Sequence, residues 1–126
     1  MEYAIFERKI DEFGRIAIPA ELLEAPDKAS FSQTVSDDGM VILTPDSNGT
    51  RPDRLCRVLL PRSYRIRFSV NHGDVFGIRK RDDTITLEKI RPACIFTGSL
   101  DDLIEFRGKT VSRAAAAELA ARAGLI

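Results

Sequence analysis

Part of this 126-residue chain is written twice, and that repeat limits what it can fold into more than any other feature. Arg15-Ile16-Ala17-Ile18-Pro19 and Arg57-Val58-Leu59-Leu60-Pro61 share one pattern: an arginine, three apolar residues and a proline. Extended backward, KIDEFGRIAIP (9–19) lies over RPDRLCRVLLP (51–61) without a gap, so Asp11 falls on Asp53 and Phe13 on Leu55. Downstream, Leu43 follows Pro19 by 24 residues and Leu87 follows Pro61 by 26. Each leucine stands in the return strand of a predicted hairpin whose turn holds an Asp-Asp pair. The repeat is a strand–turn–strand–helical turn–hairpin unit of roughly 40 residues. Elements this short and this few cannot bury a core alone. Two units must interleave, within one chain or between two chains, so that most strand edges are covered.

Local signals divide the chain in the same way. Residues 3–10 read as a strand, Asp11 to Gly14 as a turn, and Arg15 to Ile18 as a second strand. Pro19 suits a first helical position, and residues 20–24 hold helix formers that Pro26-Asp27 brings to a stop. Residues 29–35 and 40–44 form a hairpin around Ser36-Asp37-Asp38-Gly39. The turn-rich stretch 45–53 reads as a linker. The order then recurs: a strand at 55–60, a helical turn after Pro61, and strands at 74–80 and 84–90 around a turn at 81–83. The last third predicts strands at 93–97 and 103–106, a turn at Gly108, and a helix from Ser112 to Ala123. Ser112 is a suitable N-cap, the consecutive alanines are strong helix formers, and Gly124 is a good stop.

The expected fold class is mainly β with short helices (α+β). The first unit spans 1–45, a linker 46–54, the second unit 55–92, and a C-terminal hairpin-and-helix segment 93–126. The interleaved hairpins are expected to close a small barrel.

Charge is balanced overall, with 19 basic and 19 acidic residues, but it is unevenly spread. Residues 1–49 carry 4 basic and 10 acidic side chains, residues 50–92 carry 11 and 5, and residues 93–126 carry 4 of each. Such a basic field attracts phosphate even in a neutral chain. The alternative is that the acidic and basic segments neutralise each other.

Other classes find little support. No window approaches 18 consecutive apolar residues, and MEYAIFERK lacks the apolar core of a secretory leader, so a cytoplasmic chain without membrane contact is expected. Cys56 and Cys94 read as two buried thiols. The single histidine, His72, lies in an Asn-His-Gly-Asp turn, and no His/Cys cluster has metal-ligand spacing. Nucleophile-elbow, Walker and dinucleotide-binding motifs are missing. The pairs Asp37-Asp38, Asp82-Asp83 and Asp101-Asp102 fit turns. No enzymatic activity, cofactor or metal is expected.

ERKIDEFGRIAIPAEL (7–22) resembles the signature of the AbrB/MazE/SpoVT swapped-hairpin family, with the nearest likeness to AbrB-type transition-state transcriptional regulators. The shared order is a basic pair, Asp, turn Gly, Arg, three apolar residues, Pro, then Glu-Leu. Arg57 to Arg91 is similar again, with Asn71-His72-Gly73-Asp74 at the family's glycine-aspartate turn. The tail from CIFTG (94–98) to GKTVSRAAAAELA (108–120) looks like that family's multimerisation segment. The first copy departs by carrying Leu23 and Glu24 where the family has a basic pair, and the second by carrying Cys56 at the turn glycine and lacking a convincing first strand. Tandem copies also occur in the MraZ-like branch. A single domain with about 30 extra residues after the first helical turn is an alternative parse.

The resemblance implies a homodimer or higher oligomer that binds double-stranded DNA. Arg8 and Arg15 match family positions that face DNA; Arg57 matches Arg15, and Arg65 matches the basic pair. Lys9, Arg54 and Arg67 are further candidates on composition. For Arg15 and Arg57 the competing role is pairing with Asp11 or Asp53. The alternative function is an interaction module, antitoxin-like or a partner of another AbrB-type regulator, that does not bind DNA.

Overall fold

A computed structural model of the chain describes residues 5–125. It is mainly β with a few short helices, and its sheets are antiparallel. The repeat signature forms the central ladder. Here β2 (Arg15–Ala17) pairs β5 (Arg57–Leu59), with Arg15 opposite Leu59, Ile16 opposite Val58 and Ala17 opposite Arg57. Side chains alternate between faces along a strand. Ile16, Ile18, Val58 and Leu60 therefore enter the core, and Arg15, Ala17, Arg57 and Leu59 point outward. Exchanging each residue for its counterpart in the other repeat returns the same ladder, so a pseudo-twofold axis passes between Ile16 and Val58. The flanking bonds obey it as well: the Ile18 amide donates to the Cys56 carbonyl (2.8 Å) and the Leu60 amide to the Gly14 carbonyl (2.9 Å).

The same axis relates two hairpins, β3 (Phe31–Val35) with β4 (Val41–Pro45), and β6 (Val75–Arg81) with β7 (Thr84–Arg91). Their return strands meet through Val41–Leu87, Ile42–Thr86 and Leu43–Ile85. β1 (Phe6–Lys9) then joins β6, giving the order β1-β6-β7-β4-β3. Strands of one repeat lie against strands of the other, and both supply one core: Ile10, Ile16, Val41 and Leu43 pack with Val58, Phe76, Ile78 and Leu87. Fully burying one such side chain stabilises by about 1.5–3 kcal/mol.

The expected closed barrel is not formed. β2–β5 is a separate ladder, and the five-stranded sheet is open. On the β3 side, the counterpart of β1 is reduced to one bridge between Phe31 and Thr50. Ladder bonds on one edge recur at every second residue. Two residues beyond Thr50, Pro52 has no N–H to give, and two residues before it the Asn48 amide already donates to the Asp46 carboxylate (2.9 Å).

Residues 20–22 and 26–28 make 3-10 turns, the second beginning at Pro26, where the sequence predicts only an end. After Pro61 the helical turn extends into α1 (Arg62–Arg67). Its Tyr64 is buried and donates to the Gly39 carbonyl (2.7 Å), tying α1 to the β3–β4 turn. The expected strand at 93–97 is instead a turn. The Gly98 amide donates to the Cys94 carbonyl (2.9 Å) and the Cys94 amide to the Ser99 carbonyl (2.8 Å), with Gly98 at φ +74°. β8 (Leu103–Phe106) and β9 (Lys109–Ser112) form a hairpin turned at Arg107-Gly108, both at positive φ as its tight turn requires. α2 (Arg113–Arg122) follows, with the Ser112 hydroxyl accepting from the Ala115 amide (3.1 Å). No helix among the described residues is long and apolar enough to cross a membrane.

Candidate nucleic-acid interface

The outward face of the β2–β5 ladder begins with two equivalent turns. In the first, Asp11 Oδ1 accepts from the amides of Phe13 (2.9 Å) and Arg15 (2.8 Å), and Oδ2 accepts from Arg15 Nε (2.9 Å). In the second, Asp53 Oδ1 accepts from the amides of Leu55 and Arg57 (2.9 Å each), and Oδ2 from Arg57 Nε (2.7 Å). Each turn closes with a positive-φ residue, Gly14 at +84° and Cys56 at +60°. Cysteine thus occupies a backbone conformation that favours glycine.

The two turns also meet. Arg15 Nη1 lies 3.8 Å from Asp53 Oδ2, and Arg57 Nη1 lies 4.0 Å from Asp11 Oδ2. Two carboxylates and two guanidiniums alternate around the pseudo-axis, each side chain about one-third exposed. The hydrogen bonds run through Nε, and the terminal nitrogens of both arginines have no hydrogen-bond acceptor among the described residues. The guanidinium planes are therefore held by one edge and open at the other.

Both carboxyls titrate low. For Asp11, partial desolvation pushes the pKa up, but hydrogen bonds from the Arg15 amide and guanidinium and the Phe13 amide outweigh it. For Asp53, the Arg57 amide bond leads, helped by the Arg57 guanidinium and the Leu55 amide against a smaller desolvation effect.

Other predicted residues fall into two groups. Arg65 packs beside this face: its Nε donates to the Leu60 carbonyl (3.0 Å), and a Cβ at Gly14 would come within 2.5 Å of its guanidinium carbon. Its counterpart Leu23 is buried. Arg54 is exposed within the Asp53 turn, at the position that Glu12 holds in the other. Arg8 and Lys9 stand elsewhere, exposed on β1 at an edge of the five-stranded sheet, with Arg8 5.9 Å from the Phe6 ring centre. Arg67 ends α1 and lies 4.8 Å from the Phe68 ring centre.

The acidic and basic segments do pair, at Arg15–Asp53, Arg57–Asp11 and Arg91–Glu7. Among the described residues, Arg54, Arg62, Arg65, Arg67, Arg79, Lys80 and Arg81 form no ion pair. Within 50–92 the carboxylates without an ion pair are Asp82, Asp83 and Glu88, so the second repeat keeps an excess of unpaired basic side chains after the pairing.

Sequence reasoning missed three side chains near the site. Gln33 on β3 donates from Nε2 to the Leu59 carbonyl (2.9 Å), and Arg51 stands beside Arg57 along one cavity wall. Only the polar phase of β3 hinted at Gln33, and only charge at Arg51. Asp74 is fully buried, accepting from the amides of Asn71 and Ala93 (2.8 Å each) with Lys89 Nζ at 3.8 Å. Its turn was legible, but its tie to the tail was not. Both cysteines are free thiols, Cys94 buried and Cys56 partly so. No family model, curated protein or solved structure matches this chain.

Proposed function

We propose that this chain is a DNA-binding transcriptional regulator of the AbrB type, with both swapped-hairpin repeats carried on one chain. One observation carries the reading: the paired Asp–Arg turns aim two guanidiniums outward about a pseudo-twofold axis while leaving their terminal nitrogens unbonded. Arginine held in this way meets phosphate or a guanine edge through two donors at little further ordering cost. Arg54 and Arg65 extend the contact surface, and the unpaired Arg62 and Arg67 add long-range attraction. Contacts dominated by phosphate fit recognition of DNA shape and deformability more than direct base reading. Oligomerisation falls to the tail, where β8–β9 is an isolated two-stranded ladder and Phe106 and Leu119 are exposed.

A second reading, an interaction module without DNA, is favoured by the unequal halves: Leu23 and Glu12 stand where Arg65 and Arg54 stand across the axis. Fluorescence anisotropy of a long mixed-sequence duplex over a salt series separates the two. Affinity falling steeply with salt supports the regulator. Absence of binding at low salt supports the interaction module.

A further inference from the structure

The repeat that aims Arg15 and Arg57 also raises two apolar side chains. Phe13 and Leu55 hold the same place in the two Asp turns, one residue before the positive-φ position. Each turn is closed by its backbone: the Gly14 amide donates to the Asp11 carbonyl (3.1 Å), and the Cys56 amide to the Asp53 carbonyl (2.9 Å). The amides of Phe13 and Leu55 themselves donate to the Asp11 and Asp53 carboxylates (2.9 Å each). The backbone at both tips is therefore fixed. Turn positions of this kind ordinarily take Asn, Asp, Ser or Gly. Here they carry a phenylalanine that is 61% exposed and a leucine that is 66% exposed, and neither is part of the core. One exposed apolar side chain is ordinary. Two at equivalent places in a repeat are a pattern. The turns diverge at the neighbouring positions, Glu12 against Arg54 and Gly14 against Cys56, yet both keep the apolar tip.

We infer that Phe13 and Leu55 are wedges that enter a DNA duplex between base pairs, so that this face selects steps that unstack easily. The inference rests on the DNA reading above. Its first support is placement. The pseudo-axis puts the two tips on opposite sides of the Asp11, Arg15, Asp53 and Arg57 cluster. A protein partner is met by an apolar centre with charge at the rim. Here the charge is central and the apolar groups flank it. A duplex suits that order, since it offers polar backbone to the arginines and apolar gaps between base pairs to the tips. The second support is the neighbours. The Arg15 guanidinium carbon lies 5.1 Å from the Phe13 ring centre, and Leu55 follows the exposed, unpaired Arg54. Each tip thus has a cation beside it to meet the backbone next to an opened step. The third is order. The hydrogen-bonded turns leave only side-chain rotamers to be fixed on binding. Phenylalanine and leucine are among the side chains that kink DNA in this way. Unstacking is easiest at pyrimidine–purine steps and hardest in stiff A-tracts, so the wedges confer selectivity without hydrogen bonds to base edges.

The test uses the full chain and two short duplexes of A·T pairs only, one alternating T and A and the other an A-tract, each with 2-aminopurine in place of several adenines. Anisotropy of an end label reads binding, and 2-aminopurine emission reads unstacking. The alternating duplex is expected to bind at least about fivefold tighter than the A-tract and to brighten saturably. Phe13→Ser combined with Leu55→Ser removes the brightening and the preference, while affinity for the A-tract and the melting of the chain stay unchanged. Phe13→Leu keeps an apolar tip and retains both effects. Leu55→Ser alone leaves Arg15 and its aromatic contact untouched and loses part of each effect, which separates the wedge from any influence of Phe13 on Arg15. Binding by the unaltered chain without brightening overturns the wedge and leaves the DNA reading standing. So does a double variant that keeps the brightening and the preference, or one weakened equally on both duplexes. Failure of the unaltered chain to bind either duplex at low salt overturns the DNA reading and this inference with it.

Discussion

Asp11 and Asp53 each organise a turn with one oxygen and aim an arginine with the other. Their folded-state pKa values lie below the ordinary carboxylate value, so they stabilise the fold fully above the unfolded pKa of about 3.9. That contribution is lost as pH falls through the depressed folded values. Urea denaturation at a series of pH values should therefore show stability declining below about pH 4. The double variant Asp11→Asn/Asp53→Asn should flatten that acid limb; an unaltered limb would mean that other carboxylates cause it. These residues were legible because the repeat overlays Asp11 on Asp53 and Arg15 on Arg57, four positions apart in each copy. Gln33 and Arg51 were not, since their role comes from strands that meet only in three dimensions and no local periodicity encodes that meeting.

At the scale of elements, spacing and turn chemistry predicted most of the strands. The C-terminal helix was legible because Ser112 caps it and Gly124, at φ +76°, ends it. The misassigned strand at 93–97 shows the limit: a short apolar run fits a buried turn as well as a strand. Ala93 and Cys94 are buried, but as the start of a turn tied to Asp74 and Ser99. Open-sheet geometry was also beyond the sequence reading, because the single bridge at Thr50 depends on what Pro52 and Asn48 can donate. The link most exposed to test is Tyr64, whose hydroxyl reaches the Gly39 carbonyl across 25 residues of chain. Burial pushes that hydroxyl up to about 12, so it stays a donor through the neutral range. Tyr64→Phe leaves the Gly39 carbonyl unpaired and should cost about 1–2 kcal/mol in urea denaturation. No loss would show that water replaces the hydroxyl.

For the whole molecule, the repeat places two interleaved halves around one axis within a single chain, and charge breaks that symmetry. The core therefore needs no second chain, and the self-association proposed for this chain is assigned to the tail. Leu119 is 59% exposed and Phe106 57%, both near an unpaired hairpin. Leu119→Glu combined with Phe106→Glu should lower the mass seen by light scattering without changing the melting of the core. An unchanged mass would place self-association elsewhere.

The central claim is that Arg15 and Arg57, aimed by Asp11 and Asp53, contact DNA phosphates. Its most direct test compares Arg15→Ala/Arg57→Ala with Arg113→Ala/Arg122→Ala, which removes equal charge from the tail, in duplex-binding anisotropy over a salt series. The first pair is predicted to weaken binding at least tenfold and to reduce the salt slope by about two, near one per lost phosphate contact. The tail pair should bind as the unaltered chain does. Equal effects from the two pairs, or no change in slope for the first, would contradict the account.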